Sequence, residues 1–408
     1  MEYYTKIYIL LIVTLFSTGC NKPNNKIEAS AFGDQQVSEV SSKVSINKLD
    51  KLINIDISKE YPKRDINYED IADFEYIQLE TNSDFLCGGR GGIVAVTDSI
   101  IVFSNRQDGS IYFFDRSGKA IKKINRKGEG GEEYALLNQL LYDEENRELY
   151  VNDMMKKVIF VYDLNGNYKR KLHHLNSQYS DIYSFNSNSL IAYRSYLDGE
   201  SKEKYPFIII SKKDGSLIKN IPLPLEKRFE IGVIRGDAVN SEMVSILTFP
   251  ILKISDTEFI LNEVSSDTIY LLDQDYKLKA LFAQTPSVHE TDPPSVLILH
   301  MKTLNHLYIW NTKKEYNWET KTGFSTTPLM YDLTDEKIYE INSFFHTKDE
   351  KFRYSIQKDY FIKENVFVGT IQPFILKEFE NDLPENLKKI AAQMKEDDNP
   401  LLVLMKFK

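Results

Sequence analysis

Two pairs of neighbouring side chains in this sequence offer the oxygen ligands that calcium prefers. Asn152 and Asp153 end one predicted strand, and Asn262 with Glu263 ends another. Amide and carboxylate oxygens are typical Ca²⁺ ligands. The sequence supplies no evident general base beyond carboxylates, and its six His residues show no metal-ligand spacing. We therefore assign no metal, no cofactor and no catalytic residue.

Other sequence motifs for catalysis are also missing. The chain has no HExxH, GxSxG or CxxC motif and no GxxxxGK[ST] phosphate loop. Two glycine-rich stretches, GGRGG (88–92) and GEGG (128–131), open no convincing helix that could hold a phosphate. We interpret both as connecting loops, and we expect His173 and His174 at the surface rather than at a metal.

The elements that must position these residues form a repeated unit. FFDRSGKAIKKI (113–124) is answered by VYDLNGNYKRKL (161–172), and three further copies follow. Each copy has an apolar strand, a turn rich in Asp, Asn, Gly or Lys, and an alternating strand, which is a β-hairpin signal. The turns lie 48 to 61 residues apart, at Asp115, Asp163, Lys212, Asp273 and Asp332. A period near fifty residues with several strands predicts the blades of a β-propeller.

A sixth blade is predicted from the two ends of the domain. The carboxy-terminal part supplies three strands, within 352–362, 366–372 and 401–408, and FEYIQLE (74–80) supplies the missing outer one. Such a joint removes two exposed sheet edges. The predicted fold is all-β: a six-bladed propeller of four-stranded blades over residues 47–408, with one short helix at 382–397 near the carboxy terminus.

Polar and aromatic residues are predicted to gather at one mouth of the channel. In a propeller, the loops from second to third strands and those between blades meet there, where ligands bind. The 311–328 insertion adds aromatic residues that could stack on sugars or contact a protein. The candidate ligand-binding residues are Arg90, Arg106, Asp153, Arg194, Glu263, Trp310 and Trp318.

The amino-terminal segment indicates export and a lipid anchor. Residues 1–19 have a weakly positive start and an apolar run too short to cross a bilayer, as in a signal peptide. FSTGC resembles the lipobox of bacterial lipoproteins, so we expect lipidation at Cys20 and a flexible tether over 20–46. Cys87 is the other cysteine, and lipidation of Cys20 would leave it unpaired.

Charge and targeting bound the function. The net charge of −9 without a basic block excludes a nucleic-acid partner. Asn21 after the lipidated cysteine favours the outer membrane, on its periplasmic or its surface side. We expect a membrane-anchored envelope lipoprotein that acts as a binding or scaffold module for a glycan, a peptide or a protein.

Three segments carry a resemblance to a known family. They are IADFEYIQLET (71–81), NRKGEGGEEYALLNQLLYDEENRELYVND (125–153) and KKIAAQMKEDDNPLLVLMKFK (388–408). They resemble the six-bladed β-propeller lipoproteins of Gram-negative anaerobes, which are related in architecture to NHL-repeat proteins. The resemblance implies the same fold. Related propellers include calcium-dependent lactonases and lyases, so an enzyme of that kind is the alternative function.

Overall fold

The chain folds into six β-sheets that form the blades of a propeller, and this confirms the predicted architecture. The computed structural model describes residues 49, 51–88, 91–194, 204–225, 227–228, 230–236, 241–344, 360–363 and 365–408. From the sixth blade through the first to the fifth, the innermost strands of successive blades contact one another. We name the blades A to F in chain order.

Blades A, B and C follow one another in the chain. The elements before them are β1 (Ile53–Asp56), β2 (Lys63–Asn67), α1 (Tyr68–Ile71) and β3 (Ala72–Gln78). Blade A contains, from channel to rim, β4 (Gly91–Val96), β5 (Ile100–Asn105), β6 (Ser110–Asp115) and β7 (Ala120–Asn125). Blade B contains β8 (Gln139–Asp143), β9 (Glu148–Asp153), β10 (Val158–Asp163) and β11 (Tyr168–His173). Blade C contains β12 (Tyr179–Asn186), β13 (Ser189–Arg194), β14 (Phe207–Ser211) and β15 (Leu217–Ile221).

Blades D, E and F carry the insertions. A separate hairpin of β16 (Gly232–Gly236) and β17 (Ser241–Ser245) precedes blade D. Blade D contains β18 (Ile251–Lys253), β19 (Glu258–Leu261), β20 (Thr268–Asp273) and β21 (Leu278–Thr285). Blade E contains β22 (Ser295–Lys302), β23 (His306–Lys313), a small hairpin of β24 (Tyr316–Asn317) and β25 (Thr322–Gly323), then β26 (Thr326–Asp332) and β27 (Lys337–Phe344). Blade F contains β28 (Tyr360–Lys363), β29 (Val366–Ile371), α2 (Pro373–Glu378), α3 (Glu385–Gln393) and β30 (Leu401–Phe407).

The repeated aspartate has a structural role in the hairpin turns. Asp115 Oδ1 accepts hydrogen bonds from the backbone N–H groups two and four residues later, and Asp163 and Asp273 do the same. The glycine three residues after the aspartate has a positive φ in the first two turns, 87° at Gly118 and 83° at Gly166. This turn chemistry explains why the spacing of the aspartates predicted the blades.

The ring closes as predicted, through β3 in blade F. β3 pairs antiparallel with β30, with Ala72 opposite Phe407 and Gln78 opposite Leu401. The buried Asn399 side chain holds this joint: its Oδ1 accepts the Cys87 N–H at 2.8 Å, and its Nδ2 donates to two carbonyls of the segment between β3 and β4. A single amide thus ties both ends of the propeller together.

Two of the strands that went unpredicted, β1 and β2, are only five residues long or shorter. β1 runs parallel to β21 and β2 runs parallel to β27, so blades D and E have five strands rather than the predicted four. Ile53 and Ile55 of β1 are buried against blade D. The outer strands of blades A to C lack this cover and carry lysines instead, which discourages edge-to-edge pairing. These lysines are Lys122, Lys123, Lys169, Lys171 and Lys219.

Apolar side chains fill every junction between neighbouring blades. Among the described residues, six clusters lie one at each junction of the ring. Central strands such as β10 are buried on both sides, so they read as continuous apolar runs. A seventh cluster falls outside this scheme and lies at the long loops of blades D and E.

The two faces of the ring differ in their connections. The short-turn face carries the tight turns within each blade, from first to second and from third to fourth strand. The long-loop face carries the connections from second to third strands and those between blades, including α2 and α3. The predicted helix is shorter than expected, and α2 went unpredicted. No helix in the described part of the chain has the length and apolar character needed to cross a membrane.

Candidate functional site

The predicted site positions lie at equivalent points of successive blades. Arg106, Asp153, Arg194 and Glu263 stand at or just beyond the ends of second strands, on the long-loop face, and Trp310 lies in β23. Arg106 is exposed in the turn after β5. Arg90 and Cys20, also predicted, lie outside the described residues.

Asp153 is fully buried, and its carboxylate caps a loop. Oδ2 accepts the N–H groups of Ala135 and Leu136 at 2.8 and 3.1 Å, and Oδ1 accepts the N–H of Lys156 at 2.9 Å. Buried carboxylates are retained where backbone donors satisfy them. Asp153 therefore holds in place the loop that connects β7 of blade A to β8 of blade B.

That connection contains the GEGGEEY stretch (128–134), which is closed by its own side chains. The Glu133 carboxylate accepts the Gly130 N–H at 2.9 Å, and Lys156 Nζ donates to the carbonyls of Glu133 and Gly128. The Lys156 ammonium group, which could otherwise bind a phosphate, is hydrogen-bonded to these carbonyls. The structure thus agrees with a connecting loop.

Arg194 and Glu263 are brought together by a residue that sequence reasoning missed. Arg228 lies in the irregular segment after β15, and its Nη2 donates to Glu263 Oε2 at 3.1 Å and to the Arg194 carbonyl at 2.9 Å. The same guanidinium lies 5.8 Å from the centre of the buried Tyr193 ring. No periodicity or motif marks Arg228, so only the fold could reveal this buried ion pair.

The amides proposed for calcium are used to join blades. Asn262 Nδ2 donates to the Leu299 carbonyl at 2.9 Å while its Oδ1 accepts the Leu299 N–H at 3.1 Å, which links blade D to blade E. Asn152 Nδ2 donates to the Tyr179 carbonyl, between blades B and C. Within the described residues no group of three or more His, Cys, Asp or Glu could hold a metal ion.

His174 is half-buried, although we expected it at the surface. Its ring stacks on Tyr179 at 4.2 Å, Nδ1 accepts the Tyr179 N–H, and Nε2 lies 3.0 Å from Asn152 Oδ1. This arrangement requires a neutral ring with its proton on Nε2. Burial lowers the pKa of His174 to about 3. His173, beside it, is exposed as expected.

Trp310 was predicted in a loop at the channel mouth, but it lies within β23, where it belongs to a group of aromatic rings. The Trp310 ring stacks on His300 with centroids 4.1 Å apart, and Phe249 lies 5.7 Å from Trp310. Burial lowers the pKa of His300 to about 3, so its ring is neutral at physiological pH. Trp310, His300 and Phe249 are each only partly buried and offer aromatic surface.

Trp318 belongs to a contact between the two inserted hairpins. The Arg235 guanidinium of the β16–β17 hairpin lies 4.8 Å from the centre of the Trp318 ring, and Tyr316 meets that ring edge-on at 4.9 Å. Such a cation–π contact is worth about 0.5–1 kcal/mol at an exposed site. It ties together segments from either side of blade D.

The seventh apolar cluster supports these hairpins. Its buried members are Ile246, Val264, Val288, Val296 and Ile298, and Trp310, Phe249 and Phe324 pack against it. Ile234 and Leu247 remain 49% and 43% exposed. We call residues 231–236, 241–250 and 314–325, with this cluster, the annex. The annex interrupts the blade repeat and leaves aromatic and apolar side chains open to solvent.

These features define the class of the protein, a six-bladed β-propeller whose insertions gather on one face. The chain belongs to the family described as "Domain of unknown function (DUF4934)", whose model matches residues 52–285. The match ends with blade D, whereas ring closure needs residues up to Phe407. None of the curated proteins matches this sequence.

Two solved structures share the fold. A "Putative exported protein" from Bacteroides fragilis NCTC 9343 matches with a TM-score of 0.61 at 15% identity, covering 88% of this chain and 100% of that chain. A member of the DUF4221 family from Bacteroides vulgatus ATCC 8482 matches with a TM-score of 0.51 at 11% identity, covering 83% and 98%. At these identities the likeness shows the fold alone.

Proposed function

We propose that this protein is an exported, lipid-anchored binding or scaffold module of the cell envelope, and that its ligand binds on the long-loop face at the annex. The ligand is a glycan, a peptide or an envelope protein. The annex carries this proposal, since it adds half-exposed aromatic rings and two exposed aliphatic side chains to the long-loop face. Aromatic and apolar groups of this kind are typical of binding surfaces.

The cellular location rests on the sequence. The predicted signal peptide at 1–19 and the lipobox-like FSTGC support export and lipidation of Cys20. The Bacteroides fragilis protein of similar fold is described as exported, which agrees with export here. We place the protein in the outer membrane, within the NHL-like propeller lipoproteins that its sequence resembles. Loss of lipid labelling in a Cys20→Ala variant tests the anchor.

The enzyme alternative gains no support from the site. Each of the four side chains proposed as calcium ligands already uses an oxygen for contacts within the protein. A calcium ion would have to displace contacts that hold loops and blades together. We therefore do not carry a lactonase or lyase function forward.

The annex can be tested by matched substitutions. Leu247→Ser and Trp318→Ala remove annex side chains that reach solvent, while Ile121→Ser removes one that is 52% exposed on the outer strand of blade A. Ligands would first be found by glycan arrays and by pull-down from envelope extracts. We expect the annex variants to weaken binding about tenfold or more, as interface hot spots do, and the control to leave it unchanged. Full retention of every ligand by both annex variants would refute the proposal.

A further inference from the structure

A separate cleft of about 530 Å³ opens between blades B and C at the short-turn side. Blade B contributes Glu148, Tyr150 and Arg170 to it, and the hairpin turns of blade C contribute Ser187, Asn188 and residues 211–213. The volume lies within the range of small-molecule sites. It is remote in the fold from the annex, which belongs to blades D and E on the opposite face.

The inner wall of the cleft is a rigid charged network. Arg170 donates to both Glu148 carboxylate oxygens, at 2.8 and 2.7 Å, and Tyr150 donates to Glu148 Oε2 at 2.7 Å. Although burial raises the pKa of Glu148, hydrogen bonds from Arg170, Lys169 and Tyr150 lower it to about 2. The carboxylate is therefore charged at neutral pH, and its geometry is fixed by these donors.

The cleft keeps a positive charge despite this pairing. Lys212 Nζ is held by Asp143 at 2.6 Å, and Lys169 also pairs with Glu148. Four bases, counting Arg170 and Lys213, thus stand against three acids, Asp143, Glu148 and the Asp214 beside Lys213, a formal excess of one positive charge. The rest of the protein is acidic, since the whole chain carries −9. This local reversal of sign would attract an anion.

The remaining groups fit a sugar better than a simple anion. Ser187, Asn188 and Ser211 bring hydroxyl and amide groups that can both donate and accept hydrogen bonds. Ile218, 46% exposed, adds an apolar wall beside them. A sulfate or phosphate ion would use neither the acceptors nor the apolar wall, whereas a saccharide has hydroxyls and an apolar ring face.

We propose that the cleft between blades B and C binds an acidic saccharide, with its carboxylate or sulfate against Lys213 and its hydroxyls on Ser187, Asn188 and Ser211. This site is independent of the annex ligand. The test is calorimetric titration of the mature protein with a disaccharide that contains glucuronic acid, beside the methyl ester of that disaccharide. We expect the acid to bind and the ester to bind about tenfold more weakly, because the ester removes the charge that would face Lys213.

Two lysine variants make the test specific. Lys213→Ala should weaken acid binding about tenfold, because it removes the charged contact, and should leave the melting temperature unchanged at this exposed turn. Lys123→Ala, on the outer strand of blade A, changes the net charge equally outside the cleft and should bind normally.

Four results would overturn the proposal. Equal binding of the acid and its ester would show that no anion is recognised, and an equal loss in both lysine variants would show a general charge effect. Absence of saturable binding would remove the site. Sedimentation with phosphatidylglycerol vesicles that Lys213→Ala abolishes, without saturable binding of the disaccharide, would make the cleft a membrane contact instead, and the proposal would fail.

Discussion

The repeated hairpin turns of the short-turn face and the ends of the second strands on the long-loop face use polar side chains in different ways. On the short-turn face, aspartates such as Asp115 and Asp163 repeat one local hydrogen-bond pattern at the surface. On the long-loop face, polar residues at equivalent blade positions are buried and each has different partners: Asp153 caps a loop, Asn262 joins two blades, and Glu263 pairs with Arg228. The hydrogen bonds of the hairpin turns are alike from blade to blade, whereas the buried polar contacts of the long-loop face differ from one blade to the next.

On the long-loop face, the residues that stabilise the fold are therefore different from those proposed to bind a ligand. The long-loop face holds the buried polar contacts that connect blades and also the exposed annex side chains. Substitutions in the first group should affect folding, and substitutions in the second should affect only ligand binding. The following predictions test that division.

The largest effect is expected at the buried ion pair. Arg228→Ala leaves Glu263 charged and buried, since the side chains of the pair are 7% and 1% exposed. Loss of one partner of such a pair costs about 3–5 kcal/mol of unfolding free energy. Urea denaturation followed by circular dichroism measures it. A loss below about 1 kcal/mol, the value of a surface pair, would show that the pair is solvated.

A pH effect of intermediate size is expected from His174. Its folded pKa of about 3 lies below the ordinary value of 6.5, so its stabilising contribution is complete above pH 6.5 and is lost as the pH falls toward 3. Between these two pKa values the unfolding free energy falls by about 1.4 kcal/mol for each pH unit, which gives a loss of roughly 1 to 2 kcal/mol by pH 5.

Matched histidine variants separate this effect from general acid destabilisation. His174→Gln cannot titrate, so its unfolding free energy should fall less than that of the native protein between pH 7 and pH 5. His173→Gln removes an exposed neighbour and should follow the native curve. Identical curves for all three proteins would mean that the stack on Tyr179 tolerates the charged ring.

The exposed hairpin turns of the short-turn face should give smaller effects than the buried ion pair. Asp163→Ala removes hydrogen bonds to two backbone N–H groups at an exposed turn, where water can replace them. We expect a loss of about 1 kcal/mol, the net value of such bonds, and no change in annex binding. A loss as large as that of Arg228→Ala would erase the distinction between the faces.

The same contrast explains what the sequence could predict. Blade positions followed from alternating strands and Asp turns, because those patterns depend on residues close together in the chain. Ring closure by β3 also followed, since three carboxy-terminal strands lacked a fourth. β1 and β2 escaped notice because they are stabilised by the edges of blades D and E rather than by their own short sequences.

The candidate site was predictable in position but not in orientation. The ends of second strands were located correctly, yet Asp153, Arg194 and Glu263 are buried. Their partners come from other segments, such as Arg228, 35 residues from Glu263. Trp310 and Trp318 were recognisable as aromatics in a polar context, but the part of the annex at 231–236 and 241–250 carried no comparable signal.

We expect calcium to have no effect on the melting temperature. Asn152, Asp153, Asn262 and Glu263 each direct a side-chain oxygen at a donor within the protein, so the melting temperature should be the same in millimolar calcium and in EDTA. An ion at 100 times its dissociation constant would add about 2.7 kcal/mol, which a melting curve detects easily. Such a rise would mean that an ion competes successfully for these oxygens, and the enzyme alternative would return. A constant melting temperature would mean that these four side chains act only as acceptors within the protein. Ligand screens would then concentrate on the annex and on the cleft between blades B and C.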